Sequence, residues 1–416
     1  MKFKDTYFYK VAFFVFYIPK GLYWRCRYYF LPRAEYLRCI WAALKVRRVK
    51  EKPYDIGLGP LPMINNVYHK QALQKYGYKT NTFVANVYHI TSEFDFNADK
   101  EFTDHQKYRR YHSTWFKYVV NNHRCVYIYF NGCVLGTDEY LSKKEIFLLK
   151  LARIKTVIMP YGADIQDFTK SRNLIFRNNM CLDYPKFHLQ RKKIRENVDQ
   201  WTTHADHIIS GCDWVEYMYY WDTLMLAHFS IDTEKWKPSV TLPEKDPNAP
   251  LKIFHAPNHV NQKGTKHFIK AVEELKQEGL NIELMMVQRV PNSEIKRLIE
   301  TADVVADQLV IGWYAMFSLE ALSLEKPVLC YLNPDLLNMY IESGLVEKDE
   351  IPIINCNPFT VKDAIRNLYE NRDKLKDIGK RSREFVLKHH SIEYIGSVFD
   401  KINRKIGIEP TGTIKN

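Results

Sequence analysis

The chain contains few glycines and cysteines, and its apolar runs are short. Its 416 residues include 16 glycines and 8 cysteines. The longest uncharged run of its N-terminal segment, residues 11–19, is too short to cross a bilayer, which takes ~20 residues. The cysteines form no Cys-x-x-Cys pair and no Cys/His spacing typical of a metal site, which indicates reduced thiols in the cytosol. No cleavage site of small residues follows the N-terminal apolar run, so we expect no secretory signal.

Positive charge is concentrated at the N-terminus. Residues 1–52 carry +10 of the formal charge of +13, and their basic side chains alternate with Tyr, Phe and Trp. This pattern predicts a peripheral membrane anchor of one or two amphipathic helices, broken near Pro19 and Pro32. Two alternatives stay open, a single-strand nucleic-acid surface and an arm that packs on the globular body. The apolar run at 11–18 favours lipid over nucleic acid.

Short apolar runs alternate with helical patterns through most of the chain, which predicts an α/β protein. At this length we expect two or three domains. The predicted boundaries are a basic extension at 1–52, an acceptor domain at 53–238, a proline-containing linker at 239–250, a nucleotide-sugar domain at 251–390, and a C-terminal helix and tail at 391–416.

The stretch at 301–332 reads as one unit of a doubly wound sheet: strand, glycine-containing loop, helix, tight turn, strand. Ligands of such sheets bind outside the carboxyl ends of the strands. Glu320, early in the helix, is predicted to accept hydrogen bonds from a ribose diol. Its alternative role is to interact with the helix dipole, worth ~0.3–1 kcal/mol. Tyr314, with Trp313, is predicted to line a base or sugar pocket, or else to be buried under the loop.

This stretch resembles the nucleotide-binding signature of GT-B glycosyltransferases of the group 1, or family 4-like, type. Glu320-Ala321 and Lys326-Pro327-Val328 match its second half. Gly312 stands where that family has its first glutamate. What holds the donor sugar is therefore open, and Asp307 and Gln308 are the candidate substitutes, Asp307 as a catalytic residue.

A second resemblance lies in the loop that follows the strand at 251–255. The family has a Lys-Gly pair about eight residues past this strand, and Lys263-Gly264 matches it. A lysine and helix N-terminal amides stabilise the diphosphate as the glycosidic bond breaks, and the glycine allows a close approach to the backbone. The family's arginine is missing here, so Asn258 or His259 would replace it. His255, at the end of the strand, is a secondary site residue.

The first domain resembles the family more loosely. Gly57 and Gly59, in a predicted loop after the first strand, would let a ligand approach the backbone. Tyr161-Gly162-Ala163-Asp164 is similar to a His-Gly-Ser-Asp turn of the family, with Tyr161 in place of the histidine. Asp164 is a site candidate, and a turn cap is its alternative role.

The resemblance implies two Rossmann-like domains facing a cleft, and a transferase that moves a sugar from a nucleotide donor, UDP- or GDP-linked, to a lipid-linked or cell-surface glycan. It implies no tightly bound cofactor and no metal. We expect the enzyme on the inner face of the membrane, bound through residues 1–52, with no nucleic-acid partner. Two rival functions are a degenerate GT-B scaffold protein and a GT-B-fold sugar-nucleotide epimerase.

Overall fold

The computed structural model describes residues 18–87, 93–102, 110–239, 249–288, 290 and 292–413. Most of the predicted linker and residues 1–17 of the predicted anchor lie outside these residues. Within them the chain forms two parallel sheets, one of seven strands and one of five, each flanked by helices. The predicted α/β fold class is confirmed.

The first sheet has the order β3-β2-β1-β4-β5-β6-β7, and all of its pairings are parallel. Its strands are mostly continuous buried runs, as expected for a sheet covered on both faces. They are β1 (Tyr54–Leu58), β2 (Thr80–Val84), β3 (Phe96–Asn97), β4 (His123–Ile128), β5 (Lys155–Ile158), β6 (His207–Ser210) and β7 (Thr223–Leu224).

The helices of this first half include one that precedes the sheet, and two short 3₁₀ turns lie at Phe187–Gln190 and Cys212–Glu216. The helices are α1 (Ile18–Val46), α2 (Ile64–Lys75), α3 (Ala98–Glu101), α4 (Tyr111–Asn122), α5 (Glu139–Ser142), α6 (Glu145–Leu151), α7 (Leu174–Asp183) and α8 (Arg191–His204). Lys143 and Lys144 separate α5 from α6.

The second sheet has the order β12-β11-β10-β8-β9, also parallel throughout. Its strands are β8 (Leu251–His255), β9 (Ile282–Met286), β10 (Val304–Gln308), β11 (Val328–Cys330) and β12 (Ile353–Asn355). Its helices are α9 (Val260–Lys263), α10 (Thr265–Gln277), α11 (Asn292–Thr301), α12 (Met316–Ser323), α13 (Pro334–Glu342), α14 (Val361–Glu370), α15 (Leu375–His389) and α16 (Ile392–Lys405), with a 3₁₀ turn at Arg372–Lys374.

Helix α16 returns to the first domain. It packs against α2 so closely that a Cβ on Gly396 would lie 2.6 Å from the carbonyl oxygen of Ala72. Tyr78 and Tyr127 of the first domain donate hydroxyl hydrogen bonds to side chains of α16, Asp400 at 2.8 Å and Asn403 at 2.9 Å. This helix therefore ties the two domains together at the end of the chain.

Helix α1 continues through Pro32, so the predicted break there is wrong. A proline in a helix interior removes one hydrogen bond and costs ~3 kcal/mol. Next to the proline, the Arg33 guanidinium donates to the Tyr29 carbonyl at 2.7 Å and lies 3.4 Å from the centre of the Tyr29 ring.

One face of α1 packs on the first domain. Glu35, 3% exposed, accepts a hydrogen bond of 2.7 Å from the Ser113 amide in the first turn of α4. The packed face continues with small and apolar side chains that are all buried: Cys39, Ala42, Ala43 and Val46. This half of the extension is thus an arm on the globular body. Among the described helices, none is long and apolar enough to pass through a bilayer.

Candidate functional site

A cavity of about 670 Å³ lies between the two domains. Its walls come from segments that follow the carboxyl ends of β4, β5, β6 and β10, which is the ligand side of a parallel sheet. From the second domain it is lined by His259, Gln262, Lys263, Gln308, Ile311, Trp313, Tyr314, Ala315 and Met316. Several predicted site residues therefore meet in one place.

Lys263 is the cation of this wall. It ends α9, and its ammonium forms an ion pair with Asp307, whose carboxylate also accepts a hydrogen bond of 2.5 Å from the Ser318 hydroxyl. The side chain of Lys263 is 15% exposed and that of Asp307 is 0% exposed. Asp307 does not line the cavity, so its observed contacts position Lys263 within the wall.

Gly264 joins α9 to α10 in a left-handed conformation, with φ of +73°. A Cβ at this position would meet Leu309 and Val310 at 3.2 Å. The glycine is thus needed for the turn and for its packing against the end of β10. The backbone carbonyl of the preceding residue, Lys263, accepts a hydrogen bond of 3.1 Å from the Leu309 amide.

Gln308 is 1% exposed and shapes the loop that follows β10. Its side-chain oxygen accepts hydrogen bonds from the amides of Val310 at 2.8 Å and Ile311 at 2.7 Å. Its side-chain nitrogen donates to the carbonyls of Trp313 at 2.7 Å and Tyr331 at 3.1 Å. The amide is therefore used within the protein, and the residue determines the shape of the second-domain wall.

Gly312 lies at the tip of this loop with φ of +106°, and its carbonyl accepts a hydrogen bond from the Asn333 amide. Trp313 reaches the first domain, because its ring nitrogen donates to the Leu226 carbonyl at 2.8 Å. The Tyr314 hydroxyl lies 2.9 Å from Nε2 of His390, whose Nδ1 lies 3.1 Å from the Phe229 carbonyl of the first domain. Both rings are almost wholly buried, so this segment connects the domains at the edge of the cavity.

Glu320 is 5% exposed in the second turn of α12 and is not among the residues that line the cavity. The Glu320 carboxylate lies near Tyr68 of α2. Burial raises the pKa of Tyr68, and the nearby Glu320 carboxylate raises it further to a smaller extent. Tyr68 in turn accepts a hydrogen bond of 3.0 Å from Trp236. The residues of this segment that line the cavity are the N-cap residue Ala315 and the first helical residue, Met316.

His255 is fully buried and has a partner on each ring nitrogen: the Ala306 carbonyl at 2.8 Å and the Thr265 hydroxyl at 2.9 Å. Burial lowers its pKa to about 4, so the ring is neutral at physiological pH. It joins β8 to β10 and to the start of α10. Asn258 is exposed and does not line the cavity.

Helix α9, which ends at Lys263, is held by α7 of the first domain. Asp183 accepts hydrogen bonds from the Gln262 amide at 3.0 Å and from the Asn261 side chain at 2.7 Å. Beside it, the Tyr184 hydroxyl lies 2.9 Å from His259 Nδ1. The backbone amide of Gln262, the third residue of α9, thus already donates to a carboxylate of the protein next to the cavity.

Gly57 and Gly59 are close to protein atoms. Gly57 lies inside β1 and not in a loop, which corrects the predicted boundary, and a Cβ there would lie 2.6 Å from the His123 ring. A Cβ on Gly59 would lie 2.0 Å from the Phe83 carbonyl oxygen. Neither residue lines the cavity, and packing within the sheet accounts for both glycines.

Asp164 is fully buried and accepts three backbone hydrogen bonds of 3.0 Å, from Phe130, Tyr161 and Gly162. Burial raises its pKa to about 7, and these bonds oppose the shift. Its observed contacts are those of a turn cap. The cap holds Tyr161 and Gly162, which do line the cavity.

Three buried polar side chains in the cavity wall were not found by motif: Asn65, Asp213 and Gln262. Each is 7% exposed or less and has a side-chain atom without a hydrogen-bond partner. Asp213 is the third residue after the end of β6, so its position beyond a strand was a usable signal. Within the described residues, no group of three or more His, Cys, Asp or Glu side chains is arranged to hold a metal ion.

Two solved structures match the whole two-domain arrangement. A sucrose-phosphate synthase from Thermosynechococcus elongatus has a TM-score of 0.54 and 12% sequence identity, over 85% of this chain and 99% of that chain. A glycosyltransferase from Rickettsia africae has a TM-score of 0.53 and 12% identity, over 86% and 100%. No protein-family model and no curated sequence matches the chain.

At this level of identity the two structures show the fold. The chain has the GT-B fold, in which two parallel Rossmann-like sheets face a cleft. The resemblance that its motifs indicate is confirmed at the level of the fold.

Proposed function

We propose that this protein is a glycosyltransferase that takes its sugar from a nucleotide donor bound in the cavity between the domains. The observation that carries the proposal is Lys263, a cation held in the cavity wall by Asp307. Breaking the glycosidic bond of a nucleotide sugar leaves negative charge on a diphosphate. A preorganised cation stabilises that charge most effectively where water is excluded.

The start of α12 supports the same placement. Its first residue, Met316, and the N-cap residue Ala315 line the cavity, and helix N-terminal amides favour anions. Trp313 and Tyr314 line the cavity, but their rings are almost wholly buried, so they support the wall beside the donor. We propose a UDP- or GDP-sugar as donor, bound without a metal ion, and we retain Glu320 as the proposed ligand of its ribose.

The test is nucleotide release from a panel of UDP-, GDP-, CMP- and dTDP-sugars, with and without added membranes. Lys263→Ala is expected to lower release from the preferred donor by roughly 10²–10³-fold, the usual loss of one charge-stabilising group. Lys266→Ala is the matched control, because this exposed lysine lies three residues along the same segment and should release nucleotide at the wild-type rate. Glu320→Gln is expected to abolish release if it binds the ribose.

The panel also separates the alternatives. Nucleotide binding without release from any donor would contradict the transferase and favour the scaffold. Conversion of the donor sugar to its epimer without transfer would favour the epimerase. Absence of both binding and release would contradict a nucleotide-sugar protein of any kind.

We further propose that the protein works at a membrane surface, which α1 contacts with its outer face. Phe30, Leu37, Trp41 and Leu44 recur at helical spacing opposite the packed face, and they are 63%, 65%, 62% and 46% exposed. The Lys45 ammonium lies 5.0 Å from the centre of the Trp41 ring. An apolar stripe beside cations fits an anionic lipid headgroup layer. A lipid-linked or cell-surface glycan is the matching acceptor.

Sedimentation with phosphatidylcholine vesicles, with and without phosphatidylglycerol, tests this surface. The double variant Leu37→Ser/Trp41→Ser is expected to reduce binding to anionic vesicles at least tenfold, since each large apolar side chain contributes roughly 1.5–3 kcal/mol when fully buried. Phe359→Ser is the control, because this residue is 80% exposed in the second domain. Unchanged binding of the double variant would contradict the proposed surface.

A further inference from the structure

Asp213 is a buried carboxylate in the first-domain wall of the cavity. It lies in the 3₁₀ turn Cys212–Glu216, at the carboxyl edge of the first sheet. Gly211 and Cys212 separate it from the end of β6. Its exposed fraction is 6%, and its Oδ2 atom has no hydrogen-bond partner. A carboxylate left in this state costs free energy unless a ligand supplies the missing partner.

Two other buried carboxylates show what a purely structural role looks like in this fold. Asp164 accepts backbone amides on both of its oxygens. Glu145 likewise accepts the amides of Cys133 at 2.8 Å and Leu135 at 2.7 Å on its two oxygens. Both oxygens of each of these side chains have a partner within the protein, whereas the Oδ2 atom of Asp213 has none.

The unpartnered groups converge on the same cavity. Asn65 Oδ1 and Gln262 Nε2 are also buried without a partner, and both residues line it with Asp213. Amides and one carboxylate are suited to hydroxyl groups, which donate and accept at once. Tyr161 and Trp214 in the first-domain wall add aromatic faces on which a sugar ring can pack. The chemistry of these groups, from the first-domain wall and from Gln262 opposite, is that of a site for an uncharged polyol.

We infer that Asp213 binds the acceptor hydroxyl and accepts its proton during transfer. This inference rests on the proposed glycosyl transfer. As the acceptor oxygen forms its bond to the anomeric carbon, the bond from that carbon to the diphosphate oxygen breaks. The nucleoside diphosphate leaves with the electron pair, and the hydroxyl proton moves to Asp213, which later releases it to water. Asp213 acts from the first domain and Lys263 from the second, so acceptor and leaving group occupy opposite walls.

The surroundings of Asp213 suit a base that works near neutral pH. Burial, with a smaller contribution from the Glu216 carboxylate, raises the pKa of Asp213 to about 7, and hydrogen bonds from its own backbone amide and from Gln166 oppose the rise. The other titratable groups that face it are Cys212, Tyr217 and Tyr340, all with pKa values raised by burial and so uncharged at this pH. A base must be deprotonated, so turnover is expected to fall as the pH drops through about 7.

Asp213→Asn tests the role directly, using the donor that releases nucleotide fastest. With water or a methyl hexoside as acceptor, kcat is expected to fall at least 100-fold while the KM for the donor stays within twofold. Sodium azide has no proton to remove, so it should restore nucleotide release and form a glycosyl azide in the variant. Azide should have little effect on the wild type, whose carboxylate repels it.

Glu216→Gln gives a second readout that does not remove the base. Loss of this neighbouring charge should lower the pKa of Asp213, so the acid limb of the pH–rate profile should shift to lower pH while kcat at pH 9 is unchanged. Glu216 lies in a separate surface cavity with Lys170 and Arg172. This variant keeps the inference testable even if Asp213→Asn does not fold.

Stability provides an independent check. The pKa of Asp213 is raised on folding, so its protonated form is favoured and its contribution to stability is lost as the pH rises towards and through 7. Asp213→Asn should therefore melt at a higher temperature than the wild type at pH 8, and at the same temperature below pH 4.

Three results would overturn the inference while leaving the proposed function intact: wild-type kcat in Asp213→Asn with hydroxyl acceptors, loss of release in a folded variant that azide does not restore, or an unshifted acid limb in Glu216→Gln. Failure of the proposed function is distinguishable, because the wild type itself would then release no nucleotide from any donor.

Discussion

Asp307→Ala is expected to lower the free energy of unfolding by ~3–5 kcal/mol. Removing one partner of a buried ion pair leaves the other charge without compensation, and here the side chain of Lys263 is only 15% exposed. The Ser318 hydroxyl loses its acceptor as well. Urea unfolding of the variant and the wild type measures the loss. Unfolding at the wild-type midpoint would contradict the buried pair.

The double variant Lys263→Met/Asp307→Leu separates the structural from the functional contribution of this pair. Apolar side chains of similar volume often replace a buried ion pair with no loss of stability, so most of the stability is expected to return. Nucleotide release should stay lost, because no cation remains in the cavity wall. Recovery of turnover together with stability would show that Lys263 is structural only.

The first strand of the second sheet could be predicted from sequence because its apolar run is clearly bounded. The strand at 251–255 has the predicted limits. The predicted break of α1 failed for a tertiary reason. Pro32 weakens the helix locally, but Glu35 and the buried face that follows it fix the helix on the first domain.

Partners distant in the sequence decide which site residues face the cavity, and no local pattern contains them. Asp307 and Lys263 were each identifiable at a strand or helix end, but the ion pair that joins them was not. His255 also lies at a strand end, but both of its ring nitrogens have partners within the protein, the Ala306 carbonyl and the Thr265 hydroxyl. Asp213 also lies just beyond a strand end, but sequence reasoning did not identify it as a site residue, because the Cys-Asp-Trp sequence after β6 matches no motif. Burial without a partner, which the structure alone reveals, distinguishes it.

Gln308→Leu is the second substitution with a large expected effect. It keeps the volume of the side chain but removes every hydrogen bond that the amide makes. A buried polar group left unpaired costs roughly 1–3 kcal/mol. Four backbone groups would lose this partner: the amides of Val310 and Ile311, and the carbonyls of Trp313 and Tyr331. We expect a loss of at least ~3 kcal/mol in urea unfolding.

The loop after β10 should then open while the sheet stays folded. Hydrogen exchange at the amides of Val310 and Ile311 is expected to accelerate. Donor binding should weaken, since Trp313 would no longer be held against Leu226 across the cleft. Gln277→Leu, at the exposed end of α10, is the control and should change none of these quantities.

Gln308→Glu tests which half of the amide matters. A carboxylate still accepts from the two loop amides, but it places negative charge against the carbonyls of Trp313 and Tyr331. We expect Val310 and Ile311 to keep their slow exchange while the segment around Trp313 loses it. Equal protection along the whole loop in both Gln308 variants would contradict this assignment. Because Lys263→Ala should impair turnover without opening the loop, the exchange pattern separates a residue that shapes the cavity from one that acts on the ligand.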